Sequence, residues 1–599
     1  MIRCCVLLLL VGLPAAAGLD LAAASPAEVQ ETVTTVPVAD DGLLYVGSSE
    51  FPDRVGHLRA LSLAGGPSVR LWDAADRMPP PGAALPPPAD PGLAALAPQF
   101  DGPSGQRQVF TGLPVAGAFR LVAFEARAAH QLAPLLGAAT PAAAAALINA
   151  VRGRSQTSAA NPAGSGDRPN RLGAISRSSP ALAGGSLLAA GGRGRDQVLY
   201  VGAEDGLLHA ILAGRRTADG YDHAAPECGG ELWAYLPGSL LPYLSGQPFD
   251  RPGDAPAVHV DGAPAVDDLF FDSDGDGRRE WRTVLVGTAT IERLNHGVIF
   301  ALDVTDPRAP RLLWETTLPA LAPGRSRGAA LGWSGGWTDP APRVYVTFAT
   351  TGRIDLAGSV DAGGGRHGVL ACALDPADGR LLWRFASPYP EAAADRVAPP
   401  SLPSLVTGTD GATDAVVFGD LAGRLWVLDP VTGRARGGGP LWQAPGGARE
   451  PIGPGLAVRD RLVLLGTGGV DDSAVEYGYA VYAVEVTGDE ARLRWIQLLA
   501  PGERLWGAPL FDRFGQAVVG VGRGPAGAAG RLLTVTEDGA LAASVPLAGT
   551  PSGGPVATSG ALVAVSLEGR VEMFGTLSPD PAEEAASPGR VRVLSWRVR

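Results

Sequence analysis

Three aspartates stand at alternate positions, Asp272, Asp274 and Asp276, in the stretch "DSDGDGRRE", with Gly277 and Glu280 after them. This is the ligand spacing of a calcium loop. Side-chain oxygens at positions one, three and five converge on a hard cation, and a carbonyl at seven and an oxygen from nine or twelve complete the shell. Here the seventh position is Arg278, which would offer its carbonyl, and the ninth is Glu280. Gly277 fills the sixth position, where the chain must turn sharply. Position twelve is Thr283, so the closing glutamate of a helix-loop-helix site is missing, and the residues that follow, "WRTVLVG", read as a strand. The expectation is therefore a Ca2+ site in a turn between strands, held by Asp272, Asp274, Asp276, Arg278 and Glu280. Carboxylates so close would repel one another without a cation; the other reading is a solvated acidic hairpin turn. A second loop has Asp410, Gly411 and Asp414 at positions five, six and nine but Val406 and Gly408 at one and three. It reads as an eroded copy that holds no metal.

Catalytic constellations are missing from the sequence. The seven histidines are His57, His130, His209, His223, His259, His296 and His367. None forms an H-x-x-x-H or H-E-x-x-H pair, which excludes the helical zinc-hydrolase motif. No G-x-S-x-G elbow is present. "GRGPAGAAG" is glycine-rich but lacks the Lys-Ser/Thr of a phosphate loop.

The loop must be positioned by β-structure, because the chain repeats a strand, an acidic turn and a second strand carrying tryptophan. "VIFALDVTDPRAPRLLWE", "GVLACALDPADGRLLWRF", "LWVLDPVTGRARGGGPLW" and "YAVYAVEVTGDEARLRWI" are the clear copies, with Trp314, Trp383, Trp442 and Trp495. Alternating apolar residues around an Asp-Gly or Thr-Gly turn make a hairpin. A short strand such as "YVG", "LVG" or "VFG" precedes each one. The unit is a propeller blade, and the tryptophans are expected to pack between adjacent blades. The fold class is all-β: a seven- or eight-bladed β-propeller of quinoprotein-like repeats. The repeat breaks between about 74 and 190, where a Pro-rich connector, two short amphipathic helices meeting near Pro141 and a polar loop read as an insertion near the first two blades. The propeller is placed at 25–575. Residues 576–599 read as a linker and a last short strand, "VRVLSWRVR".

The 599 residues carry a net charge of −12, and every one of the 49 basic residues is arginine. Such a surface offers no basic stripe for nucleic acid. Arg3 followed by the apolar run Cys4–Leu13 and by Ala15-Ala16-Ala17 reads as a secretory signal peptide over 1–17, with a second cleavage site ending at Ala24. The mature protein is expected outside the cytoplasm. Cleavage leaves Cys228 and Cys372, which either pair or stay as two buried thiols.

In their order these segments resemble the C-terminal propeller domain of the PilY-type type IV pilus biogenesis and tip proteins. The resemblance rests on "DGLLYVGSSEF", "NRLGAISRSSPAL", "LYVGAEDGLLHAI" with "GGELWAYLPGSLLPYLSG", "HVDGAPAVDDLFF" with "WRTVLVGTATIERLNHGVIFALDVTDP", "VVFGDLAGRLWVLD" and the terminal "LSWR". It implies a non-enzymatic exported propeller that supports pilus assembly or extension, or adhesion at the tip. It also implies minor pilins and the pilus assembly machinery as partners, a host or surface ligand where there is adhesion, and a location in the periplasm, on the outer surface or at the pilus tip. Calcium occupancy in that family is linked to pilus extension and retraction. Departures matter: Arg154 stands where the family often has the aspartate of R-G-D, and Ala174 replaces the aspartate of L-G-D-I. The family's calcium loop directly precedes the G-D-L strand, which here is the eroded loop ending at Asp414. Roles attributed to the von Willebrand factor A-like region of longer relatives are not carried over.

Two other classes compete. A quinoprotein dehydrogenase shares the "ALDPADGRLLW" repeat, but the adjacent cysteine pair of those enzymes is absent once Cys4 and Cys5 are cleaved away, and no interior Asp-Glu-Asn set is evident. A periplasmic scaffold propeller shares the tryptophan repeat but neither "WAYLPGSL" nor "LSWR".

Overall fold

The computed structural model describes residues 30–597, apart from internal stretches of which the longest are 80–106, 154–171, 248–254, 469–477 and 576–593. The stretch read as a signal peptide, most of the Pro-rich connector, Arg154 and the linker before the last strand lie outside the described residues.

The described strands form eight sheets. In the fourth, Pro323–Ser334, Ala341–Thr350, Gly368–Leu374 and Leu381–Pro388 pair antiparallel in chain order, from the innermost strand outward. The fifth, sixth and eighth sheets repeat this plan, and the first, third and seventh add one short strand each. Second and third strands are buried on both faces, as in Gln197–Gly202 and Gly368–Leu374, because each sheet is sandwiched between two others. They accordingly read as unbroken apolar runs instead of alternating ones.

Successive sheets share cores in a closed cycle. Tyr45 of the first sheet packs with Leu199 of the second, and Tyr235 of the second with Phe300 of the third. The series continues around the ring until Val563 of the eighth sheet meets Val46 of the first. The Val33 amide also donates to the Leu567 carbonyl across that seam, at 2.8 Å. The expected seven- or eight-bladed propeller is therefore present, with eight sheets. The terminal strand Leu594–Arg597 pairs with Arg570–Gly575 and is the outer strand of the eighth sheet.

The glycine ending each "YVG"-type strand has a packing reason. A Cβ on Gly202 would run into the Val260 carbonyl, and one on Gly466 into the Leu505 side chain. Both contacts are with the first segment of the next sheet; at Gly202 the neighbouring backbone itself crosses, and at Gly466 a buried leucine side chain fills the space.

The break in the repeat is an addition to the second sheet. Val109–Val115 pairs parallel with Glu231–Leu236 at the outer edge and forms a hairpin with Ala118–Ala123. The reading of the sequence did not foresee this hairpin. The helix Pro141–Val151 starts as its sequence dictates, with the Thr140 side chain accepting from the Ala143 amide and proline in the first turn. With Ala129–Leu132 it buries Ala144, Ile148 and Leu132 against the second sheet. No helix among the described residues is long and apolar enough to cross a membrane. Cys228 and Cys372 are buried free thiols in two different cores. Burial pushes Cys228 up to about 11 and Cys372 up to about 12.

Candidate functional site

In the third sheet Ala265–Phe271 pairs with Glu280–Ile291, and its last pair is Phe271 with Glu280. Residues 272–279 form the turn. Gly275 and Gly277 adopt φ of 79° and 84°, so two residues in the left-handed region fold eight residues into a compact loop. Backbone amides then draw the aspartates inward. Asp272 accepts from the Gly275 and Gly277 amides, both at 2.8 Å, Asp274 from the Asp276 amide at 3.2 Å, and Asp276 from the Arg278 amide at 2.7 Å. Oxygens of Asp272, Asp274 and Asp276 consequently lie within 4.8 Å of one another. The Gly277 amide, ahead of a small burial effect, holds the Asp272 carboxyl below the usual range.

Glu280 is not part of that group. Its Oε1 accepts from the Ser273 amide at 3.1 Å, from the Ser273 hydroxyl, and from Arg282 Nε at 3.3 Å. Arg278 places its amide, not a charged group, against Asp276. Three of the four expected carboxylates thus converge, and the ninth-position carboxylate, Glu280, is turned onto the strand. Three clustered carboxylates are the donor chemistry of a hard, oxygen-seeking cation.

The loop is anchored to the next sheet. Arg279 donates to Asp339 Oδ1 at 2.8 Å, to the Phe270 carbonyl at 3.0 Å and to the Pro340 carbonyl, so the acidic turn and the first turn of the fourth sheet are tied side by side. In the eroded loop, Asp410 caps the Ala412 amide at 3.1 Å while Asp414 pairs with Arg436 at 3.3 Å.

Other charged groups meet only in the fold. His259, Asp261 and Glu292 come within 4.8 Å of one another. Arginines already answer them, with Arg325 at 3.1 Å from Asp261 and Arg177 at 3.3 Å from Glu292, and Arg325 also pairs with Glu292. Guanidinium groups stand where a cation would have to approach, so this is an ion-pair network. The H-x-D spacing of His259 and Asp261 was its one local signal. His209 is fully buried between Glu231 at 2.7 Å and Asp205 at 3.3 Å, and Arg107 reaches Glu231 at 2.8 Å. The acidic residues of the repeats prove to be turn formers: Asp375 caps the Ala377 amide at 3.1 Å and Asp429 the Thr432 amide at 2.7 Å.

Comparison with known proteins places this propeller among others. Residues 311–460 match the family model described as outer membrane protein assembly factor BamB. The type IV pilus biogenesis factor PilY1 of Pseudomonas aeruginosa is 27% identical over 252 residues, which are 42% of this chain and 18% of that protein. A PilY1 homolog of Xylella fastidiosa is 29% identical over 232 residues, 39% of this chain and 16% of that one. The matched region thus spans less than a fifth of either relative. Among solved structures, the Pseudomonas aeruginosa PilY1 C-terminal domain aligns with a TM-score of 0.43 at 18% identity, covering 65% of this chain and 94% of that one. A europium-containing methanol dehydrogenase aligns at 0.42 with 13% identity, covering 92% of this chain and 84% of that one. The PilY-type resemblance read from the sequence is borne out by the curated relatives.

Proposed function

We propose that this PilY-type propeller is a non-enzymatic exported protein that supports type IV pilus assembly and extension or adhesion at the pilus tip. The observation that carries the reading is its similarity to the two curated PilY1 relatives. A closed ring of eight sheets with a buried seam suits a rigid platform for other chains. Its place is the periplasm, the outer surface or the pilus tip, and its partners are minor pilins and the assembly machinery.

The acidic turn of the third sheet is read as a calcium site built from Asp272, Asp274 and Asp276, with Glu280 free to join once it leaves Ser273 and Arg282. Bound calcium would offset two of the three negative charges and fix the turn, because only the folded loop converges their oxygens.

The test is deletion of the gene and a count of surface pili. Loss of pili, restored by the wild-type gene and not by an Asp272→Ala/Asp274→Ala copy, is the expected result. Normal piliation in the deletion strain overturns the pilus role. Full restoration by the double variant overturns the role of the metal alone.

A further inference from the structure

An axial cavity of about 280 Å³ is lined by residues of two innermost strands, Pro323–Ser334 and Ser404–Thr407, and by segments that lead into the inner strands of the other sheets. Propellers enclose a channel on this axis, and its walls here differ in kind. Arg177, which precedes the second sheet's inner strand, and Arg325 and Arg327 of the fourth sheet line it together with Asp261; Leu402, Leu456 and Trp506, from segments beside the inner strands of the fifth to seventh sheets, line it as well.

Charge on the cationic wall does not balance. Asp261 lies 3.1 Å from Arg325 and 3.9 Å from Arg177, and Glu292 serves the same two arginines. Arg327 has no carboxylate partner among the described residues; its Nε donates to the Pro400 carbonyl at 3.1 Å. Burial, and after it repulsion from Arg177 and Arg325, lowers Arg327 to about 10. A desolvated cation beside two like charges is what an incoming anion relieves.

We propose that the axial cavity binds a small organic carboxylate, its anionic end on Arg327 and its apolar body against Leu402, Leu456 and Trp506. The cavity is just below the ~300–1,000 Å³ typical of small-molecule sites, and its plan of one apolar wall and a few fixed polar groups is theirs. A neutral molecule of the same shape keeps at most an ordinary hydrogen bond to Arg327, and a cationic one is repelled by it. The site is independent of the acidic turn, and stands or falls apart from any role in pili.

The test is calorimetric titration of the purified protein with 2-naphthoate, with its neutral amide, 2-naphthamide, as the paired probe. Saturable binding of the carboxylate at one site is expected, with the amide at least about tenfold weaker, the worth of one charge-assisted contact. Arg327→Gln should weaken naphthoate by a similar factor. Should that variant fold poorly, Ser404→Trp fills the cavity without removing a charge, and it should abolish binding. No saturable binding of naphthoate, equal binding of the amide, or undiminished binding by either folded variant overturns the proposal.

Discussion

The indole of Trp314, on the outer strand of the third sheet, donates its Nε1–H to the Pro376 carbonyl in the fourth, at 2.8 Å. The same link joins Trp233 to Pro307 at 2.7 Å and Trp383 to Pro430 at 2.9 Å. Each proline follows an acidic residue in the turn of the next sheet, so the repeat is an inter-sheet hydrogen bond written three times. The ring also lies flat on the turn: a Cβ on Gly379 would sit 2.6 Å from Trp314.

Gly379→Ala should therefore cost two things. Its φ of 71° favours glycine, and the new methyl collides with a buried indole. Together these are worth about 2–4 kcal/mol. Gly438→Ala, at φ 75° with nothing within 4 Å of the added Cβ, should cost only the backbone share, about 1–2 kcal/mol. Chemical denaturation of the two variants side by side checks the difference, and equal losses would refute the docking argument.

Glu315 organises the segment that "ELWAYLPGSL" encodes. It accepts from the Tyr235 hydroxyl at 2.8 Å, the Gly238 amide at 2.8 Å and the Ser239 amide at 2.6 Å. Glu315→Ala leaves three donors in the seam between second and third sheets without an acceptor, at a cost of about 2–4 kcal/mol. Tyr235→Phe removes one donor together with its share of that bond and should cost about 1 kcal/mol. Denaturation midpoints of both variants test this order.

What could be read in advance was local. The Trp-and-turn repeat recurs within a few dozen residues, and the three aspartates lie within five, so both survive as patterns in the chain. The rest is non-local. Val109–Val115 joins its sheet through a strand at Glu231–Leu236, and Arg107 meets Glu231 across 124 positions. No spacing rule links such partners. Glu280 shows a subtler failure: its position in the loop is right, but Ser273 and Arg282 compete for the carboxylate and win it.

Stability should fall on the alkaline side because of His209. Despite burial, which alone lowers it, Asp205 and Glu231 raise this imidazole to about 9, against an ordinary value of 6.5. A raised folded value means that its contribution is complete below about 6.5 and is lost as pH rises through about 9. Asp205 and Glu231 are held low, against the burial that would raise them, by His209 and Arg107, so their share fades as pH falls through the acidic range. Melting temperature should decline between pH 7 and 9. His209→Gln should flatten that decline and lower the plateau by about 3–5 kcal/mol, since it strips a buried carboxylate pair of one cation. An unchanged slope in the variant would show that other groups set it.

Calcium bound at the acidic turn should be felt in the neighbouring sheet, because Arg279 spans both. The aspartates repel one another until neutralised, so in the free protein the loop is held by its own amides and by the bonds from Arg279 to Asp339 and Pro340. Isolated sites of this kind in extracellular modules bind at about 10⁻⁴–10⁻³ M. Titration at millimolar calcium should then slow amide exchange at Gly275 and Gly277 and also around Ala341, where the adjacent turn enters its strand. Arg279→Ala should leave the first effect and remove the second. Asp274→Ala should remove both, and Glu280→Gln should weaken binding less than Asp272→Asn does, because Glu280 must first leave Ser273 and Arg282. Protection confined to the loop in the unaltered protein would show that the arginine bridge does not transmit the ordering.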